Sequence, residues 1–475
     1  MKGFENQVQY LKHRTLCEVA KHAFDDTLQE SVLDIPKSIV PGKIPTMRCC
    51  VYKERAILGE RVKLAMGGNR NNPNVIETLD IACNECPVSG YDVTPVCRGC
   101  IAHRCKEACK SDAIYLDQGQ KAHIDQNKCI ECGLCAKACP YHAIIQNKRP
   151  CESACKVHAI SMDEEKSALV DFEKCNACGA CVTQCPFGAI MDKSSILNVI
   201  ALIKQRARDG KPKLYAMLAP SIATQFTDCS LGQVVSGLKA LGFDAVAEAA
   251  LGADMVAYEE SGELAEKGLL MSSCCPAFVD FTETNFPELT KHFSSCLSPM
   301  ATLGKHIKSS EPEANIVFIG PCTAKKAEAG REEVKPYIDA VITFEELRAL
   351  FDSREIELAD MEAEELADAS GYGRAFAYSG GVSAAIRQGL NERGHEDFPL
   401  KAVRCDGIEE CRIALLKLNK GLDVGNFIEG MACVGGCVGG AGCITRMATA
   451  QNAEMKASVE AGKTSIREAL ARVKD

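Results

Sequence analysis

The chain has no tryptophan, and aromatic residues make up only 5% of its 475 positions. Its core must therefore be aliphatic. No run approaches the ~18 consecutive apolar residues of a membrane helix, so no membrane association is expected. No basic run stands out and the net charge is −9, which argues against nucleic acid as a partner. The first thirty residues lack both the apolar centre of a signal peptide and a twin-arginine pair. The expected location is cytoplasmic. A length of 475 residues fits roughly three domains, and 46% hydrophobic residues suffice for a large core.

What the chain has in abundance is cysteine, 29 in all. In a cytoplasmic chain, metal ligation or thiol chemistry is the expected use, not disulfides. Sixteen of the cysteines lie between Cys83 and Cys185. Two runs, CIECGLCAKACP (Cys129, Cys132, Cys135, Cys139) and CNACGACVTQCP (Cys175, Cys178, Cys181, Cys185), have the spacing C-x2-C-x2-C-x3-C-P. In this ferredoxin pattern three thiolates hold one 4Fe–4S cluster and the fourth ligates its neighbour. Zinc usually takes two C-x2-C pairs set farther apart.

The shared fourth ligand allows a full assignment. CRGCIAHRCKEACK resembles a ferredoxin half with a stretched loop, so Cys97, Cys100, Cys105 and Cys139 form one set. Cys129, Cys132, Cys135 and Cys109 form a second, and Cys175, Cys178, Cys181 and Cys155 a third. Cys151 and Cys185 lack only a C-x2-C pair, which Cys83 and Cys86 in CNEC supply. The alternative for that pair is a small zinc or redox site. Three to four accessory 4Fe–4S clusters follow. The segments KSDAIYLD, YHAIIQN, VHAISMD and FGAIMDK each follow a half-motif with an Ala-Ile pair, expected to form short strands shielding the clusters. Ahead of them the chain reads as mostly helical, with the adjacent Cys49 and Cys50 as buried structural thiols.

From about residue 213 strand and helix signals alternate. KLYAMLAPS, DAVAEAA, GLLMSS, NIVFIG and RAFAYS read as strands, each followed by a tight turn or a helix. In such α/β sheets ligands bind beyond the carboxyl ends of the strands, where helix N-termini favour anions. EGMACVGGCVGGAGC is glycine-dense, which lets backbone approach a bulky ligand. A phosphate loop would need the Walker lysine and serine, which are missing.

SSCCPAF, PCTAKKAE and EGMACVGGCVGG, in that order, resemble the three catalytic motifs of the FeFe hydrogenases, over about residues 213–445. The likeness is nearest to their group B branch, because Phe278 stands where a tryptophan is familiar. The resemblance implies an α/β catalytic H-domain, two lobes of strand–turn–helix units around an H-cluster. Residues 196–475 would form it with a C-terminal helix, 81–195 an α+β double ferredoxin-like 4Fe–4S region, and 1–80 a mostly helical segment. By resemblance, Cys275, Cys322, Cys433 and Cys437 hold a cubane, and Cys437 bridges to a two-iron unit with CO, CN and azadithiolate ligands. Cys274 becomes the free thiol that hands protons to this unit, the alternative being a packing residue. Glu260, Glu263 and Ser294 would continue the proton path, although EESGE alone reads as a solvated acidic face. Lys325 and Ser221 would meet the cyanides, and Met431 would pack near the two irons.

The implied activity is reversible hydrogen activation, with H2 and protons as substrates. A ferredoxin-type electron carrier and hydrogenase maturation proteins are the implied partners. A hydrogen sensor and a hydrogenase-like iron–sulfur assembly protein are the alternatives. The sequence departs from the family at Gly320, where methionine is usual, and at GGAGC, which adds Cys443. It assigns no role to Cys17, Cys296, Cys405 or Cys411.

Overall fold

The computed structural model describes residues 4–87, 89–446 and 465–472. It opens on the helix Gln7–Phe24, whose N-cap Asn6 accepts from the Gln9 N–H. This helix is not a detached leader. Leu16 and Val19 share one core with Met217, Ile319 and Phe344 of the α/β part. Gln9 Nε2 donates to Glu345 Oε1 at 2.8 Å and to the carbonyl of Ile444 at 2.9 Å. Val51–Ala65 is a second long helix. Cys49 is exposed, so the expectation of a buried thiol there is corrected. Cys50 is half-buried and acts as an N-cap, its sulfur accepting from the Lys53 N–H.

Four two-stranded antiparallel ladders follow. Ile114–Leu116 pairs with Ala122–Ile124, Ile160–Met162 with Ala168–Val170, Ile144–Asn147 with Gly90–Val93, and Ile190–Asp192 with Ile76–Thr78. Every Ala-Ile segment thus leads into a strand. The alanine also serves the neighbouring sulfur. The N–H groups of Ala113, Ala143, Ala159 and Ala189 point at the sulfurs of Cys109, Cys139, Cys155 and Cys185, at 3.3, 3.4, 3.2 and 3.2 Å. Such N–H···S bonds are one of the levers on cluster potential.

Residues 213–446 hold two parallel sheets. Their strands are β1 (Leu214–Leu218), β2 (Ala245–Glu248), β3 (Leu270–Met271), β4 (Asn315–Gly320), β5 (Ala340–Thr343), β6 (Ala402–Asp406) and β7 (Phe427–Met431). One sheet runs β2-β1-β4-β5 and the other β3-β7-β6. Helices cover both, as parallel sheets require. RAFAYS is not a strand. Ser370 Oγ accepts from the Tyr372 and Gly373 N–H groups and starts the short helix Gly371–Ala375. A turn follows, its Gly380 N–H held by the buried Glu429 carboxylate at 2.6 Å, before the helix Gly381–Glu392. Side-chain capping here outcompetes the strand signal of the apolar residues. Ile466–Ala471 is the described part of the C-terminal helix; 447–464 and 473–475 lie outside the described residues. No helix among the described residues is long and apolar enough to cross a membrane.

Candidate active site and cluster sites

The catalytic motifs all leave carboxyl ends of parallel strands. Ser221 follows β1, Cys274 and Cys275 follow β3, Cys322 follows β4, and Cys433 and Cys437 follow β7. They converge with Lys325 and Met431 on one cavity of about 90 Å³, otherwise walled by Ala, Pro, Phe and Gly residues with Met300 and Cys178. The strands supply rigid placement, and the turns after them supply the reactive groups.

Burial pushes the Cys322 thiol up to about 11 and Cys437 up to about 12, and the neighbouring thiols add to the rise. Four buried sulfurs cannot all ionise unless a cation joins them. Among the described residues, no three of these sulfurs lie within 4.8 Å of one another. A single tetrahedral zinc, with Zn–S of 2.3 Å, would need separations of about 3.8 Å. The donor set therefore fits a cubane and not one ion. The Ser221 hydroxyl is buried on the cavity wall with no hydrogen-bond partner among the described residues. Lys325 Nζ reaches the Cys274 carbonyl at 3.4 Å and pairs with Glu328 at 2.6 Å. A free hydroxyl and an ammonium on one apolar wall fit a ligand with electron-rich ends.

Packing is tight at two of the departures from the usual motifs. A Cβ on Gly320 would stand 2.5 Å from the ring of Phe318, which itself lines the cavity. Phe278 lies over Gly430, where a Cβ would come within 2.2 Å of the ring. Cys443 points away from the cavity, its sulfur donating to the Val438 carbonyl at 3.4 Å. Cys405 and Cys411 are buried behind the third motif, where the Cys411 thiol donates to the Met431 carbonyl at 3.6 Å.

Cys274 and Glu260 are neighbours. Burial, then the Glu260 carboxylate, pushes the Cys274 thiol well above its ordinary value. Glu260 lies on the helix Ala249–Lys267; burial drives it up to about 7, although hydrogen bonds from Ser273 and Ser294 oppose the rise. Among the described residues its Oε2 has no hydrogen-bond partner. Glu263, one turn on, is held below its ordinary value despite partial burial, by hydrogen bonds from Ser295 and the Lys267 ammonium at 3.2 Å. Sequence reasoning named Ser294 and missed Ser273 and Ser295. Both belong to serine doublets in the motifs, SSCC and FSSC, where only side-chain direction tells the two apart. Cys296 sits beside Ser294 and is pushed up to about 11 by burial.

Several accessory cysteines stand beside one another. Cys105 senses Cys139 and Cys100, and Cys135 senses Cys129 and Cys109. Cys181 senses Cys178, Cys175 and Cys155. Cys151 senses Cys185 and Cys83, and Cys86 senses the same two, so the distant CNEC pair does reach the repeats. The Cys175–Cys181 loop touches all three catalytic motifs. Asn176 Nδ2 donates to the Ala277 carbonyl at 3.1 Å, and Thr323 Oγ donates to the Ala177 carbonyl at 2.6 Å. A Cβ on Gly179, at φ +77°, would come within 2.4 Å of Ala441.

Fold and site together define an iron–sulfur protein on a two-lobed α/β scaffold. The family described as iron only hydrogenase large subunit, C-terminal domain, matches residues 212–441, and the 4Fe-4S binding domain matches 122–145 and 168–191. The chain is 29% identical over 297 residues to the periplasmic Fe hydrogenase large subunit of Nitratidesulfovibrio vulgaris, covering 50% of this chain and 70% of that protein. It is 32% identical over 258 residues to iron hydrogenase 1 of Clostridium pasteurianum, 44% of this chain and 45% of that one. The cytosolic Fe-S cluster assembly factor NAR1 of Kluyveromyces lactis is 39% identical over 84 residues, 18% of each chain. This chain thus spans less than half the length of the latter two relatives. The protein is FeFe-hydrogenase-like, with ferredoxin-like 4Fe–4S domains.

Proposed function

We propose that the chain catalyses reversible hydrogen activation, 2H+ + 2e− = H2, at an H-cluster held in the cavity. Cys275, Cys322, Cys433 and Cys437 would hold the cubane, with Cys437 bridging to a two-iron unit bearing CO, CN and azadithiolate ligands. When bound, that unit supplies the metal site at which electrons and protons combine. The chain's residues do the rest. Lys325 and Ser221 orient the unit through its electron-rich ligands, and Met431 and Phe318 exclude water. Cys274 holds a proton at its sulfur, and Glu260, Ser294 and Glu263 return one to it from the surface. A thiol with a raised pKa suits this step, because it stays protonated until a base draws the proton away.

The observation that carries the reading is the placement of a second thiol, Cys274, on the cavity wall with Lys325 and Met431, and against the buried Glu260. The four accessory cysteine groups would carry single electrons from a ferredoxin-type carrier, with the Cys175–Cys181 loop nearest the cavity. Maturation proteins would deliver the two-iron unit, and the group B branch and a cytoplasmic site belong to the same proposal. The likeness to NAR1 favours one other reading, an iron–sulfur assembly protein that keeps the cubane without the two-iron unit. Infrared spectra of chain made with maturation proteins decide between them. Carbonyl and cyanide bands with hydrogen evolution are expected; cubanes without those bands would establish the assembly reading. Chain made without maturation proteins should carry its cubanes and make no hydrogen.

A further inference from the structure

The fourth group of thiols, Cys83, Cys86, Cys151 and Cys185, differs from the other three in its charge. Two buried guanidiniums flank it. Arg149 is 1% exposed, and its Nη1 stands 3.7 Å from the Cys83 sulfur. Its other nitrogens donate to the carbonyls of Pro87 and Lys166. Arg61 is 3% exposed, lies against the Cys185 side of the group, and donates to the Phe187 carbonyl at 3.0 Å. Among the described residues its Nε has no hydrogen-bond partner. Among the described residues neither guanidinium forms an ion pair with a carboxylate. Glu152, beside Cys151, is taken by the Ser89 hydroxyl.

A buried cation without an anionic partner is strongly destabilising. Two of them around four thiols imply that the anion is the site itself, a thiolate-ligated cluster with net negative charge. Peptide donors do not set it apart, since Ala113, Ala143 and Ala159 serve the other groups as Ala189 and Ala168 serve Cys185 and Cys83; the guanidiniums do, and the third group instead has the carboxylates of Asp280 and Asp171 acting on Cys175.

We propose that Arg149 and Arg61 make this fourth site the first accessory cluster to be reduced, so that it stores an electron beside the group that adjoins the catalytic cavity. The electrostatics fix the sign. Reduction adds one negative charge to the cluster, and fixed positive charge in a low-dielectric surrounding favours the more negative form. One electron arrives from a low-potential one-electron donor and is held on the cluster; no bond is made or broken. Cys151 and Cys181 are near neighbours, so the stored electron sits one transfer away from the Cys175–Cys181 group. The inference rests on reading the four thiols as cluster ligands.

The test is an anaerobic redox titration of the full, cluster-loaded chain, with dithionite and mediators, followed by paramagnetic resonance. Loss of one signal in Cys83→Ala assigns the fourth site. In the unaltered chain that signal should be the first to appear on reduction. Arg149→Met should lower its midpoint by the equivalent of about tenfold in the reduction equilibrium, about 59 mV for one electron. The other midpoints should stay in place, and Arg149→Lys should keep most of the shift. If Arg149→Met does not fold, the order of reduction in the unaltered chain still decides. A fourth site reduced after the others, or a midpoint unmoved in Arg149→Met, overturns the proposal with its cluster intact. Zinc or no metal at Cys83, by metal analysis of the same sample, overturns instead the ligand reading beneath it.

Discussion

Lys326 Nζ stands 2.8 Å from Asp192 Oδ2, joining the second catalytic motif to the last strand of the cluster repeats. Asp192 also binds Lys12 of the first helix at 2.6 Å, and Lys326 also binds Glu346 at 2.8 Å. All these groups are buried. Burial opposes ionisation of Asp192, but the two ammonium groups outweigh it and hold the carboxyl below its ordinary value. Asp192→Ala leaves two buried cations short of a partner, and should cost about 3–5 kcal/mol. Anaerobic urea unfolding of the cluster-loaded chain measures it. Because the folded pKa is depressed, the unfolded chain takes up the proton first as pH falls. The contribution is present above the ordinary carboxylate value of 3.8 and lost in acid; the variant should lack that acid slope.

The neighbours Cys274 and Cys275 should separate on mutation. Cys274→Ala is expected to assemble the full cofactor while turnover falls by ~10²–10⁴-fold, the usual loss of a general acid. Cys275→Ala should lose or distort the cubane, and Cys274→Asp should retain part of the activity. Hydrogen evolution recorded beside infrared and paramagnetic spectra settles it. Near-normal turnover in Cys274→Ala, or equal cluster loss in both, would rule out separate roles.

Glu260 should give the rate a pH inflection near 7, the value to which burial raises it. Below that pH it is protonated and can resupply Cys274, so hydrogen evolution should decline as pH rises through 7. Glu260→Gln should lower evolution by ~10²–10⁴-fold and abolish the inflection. The same group affects stability with opposite sign to Asp192. Its folded value lies above the ordinary 4.5, so its contribution weakens as pH rises from about 4.5 to about 7.

Gly179→Ala places a methyl group where Ala441 and the Thr323 hydroxyl already lie. It should part the Cys175–Cys181 loop from the second and third motifs. Rapid-freeze paramagnetic spectra should show slower electron arrival at the catalytic cubane, with hydrogen–deuterium exchange at the catalytic site preserved. Thr323→Val, which removes only the hydrogen bond, should slow the transfer less, by about tenfold or below.

The cysteine groups were legible because ligand spacing is written in sequence: a loop that wraps a cubane must space its thiols in a fixed way. CNEC was harder, and only the count of unpaired ligands pointed from Cys83 to Cys151 and Cys185. The parallel strands ahead of Ser221, Cys274 and Cys322 were legible as apolar runs ending in turns. RAFAYS was misread because Ser370 and Glu429, far apart in sequence, satisfy its backbone. β6, in KAVRCDG, was missed because two of its five residues, Arg404 and Asp406, are charged. The buried ion pairs of Lys12 and the guanidiniums of Arg149 and Arg61 carry no local signal. Buried charge depends on what the whole fold brings around it, and each of these residues reads as surface in its own segment.

The meeting of Cys83 and Cys86 with Cys185 also sets an order of events at the ribosome. The pair emerges first, yet its last partner follows roughly 100 residues later, a delay of roughly 5–20 s at ~5–20 residues per second. The second group, closed by Cys135, and the first, closed by Cys139, have all their thiols well before then. Iron delivery to the nascent chain would therefore proceed from the middle of the cluster region, and the earliest-made thiols would be among the last to be capped. During that interval their thiols stay uncapped and open to oxidation.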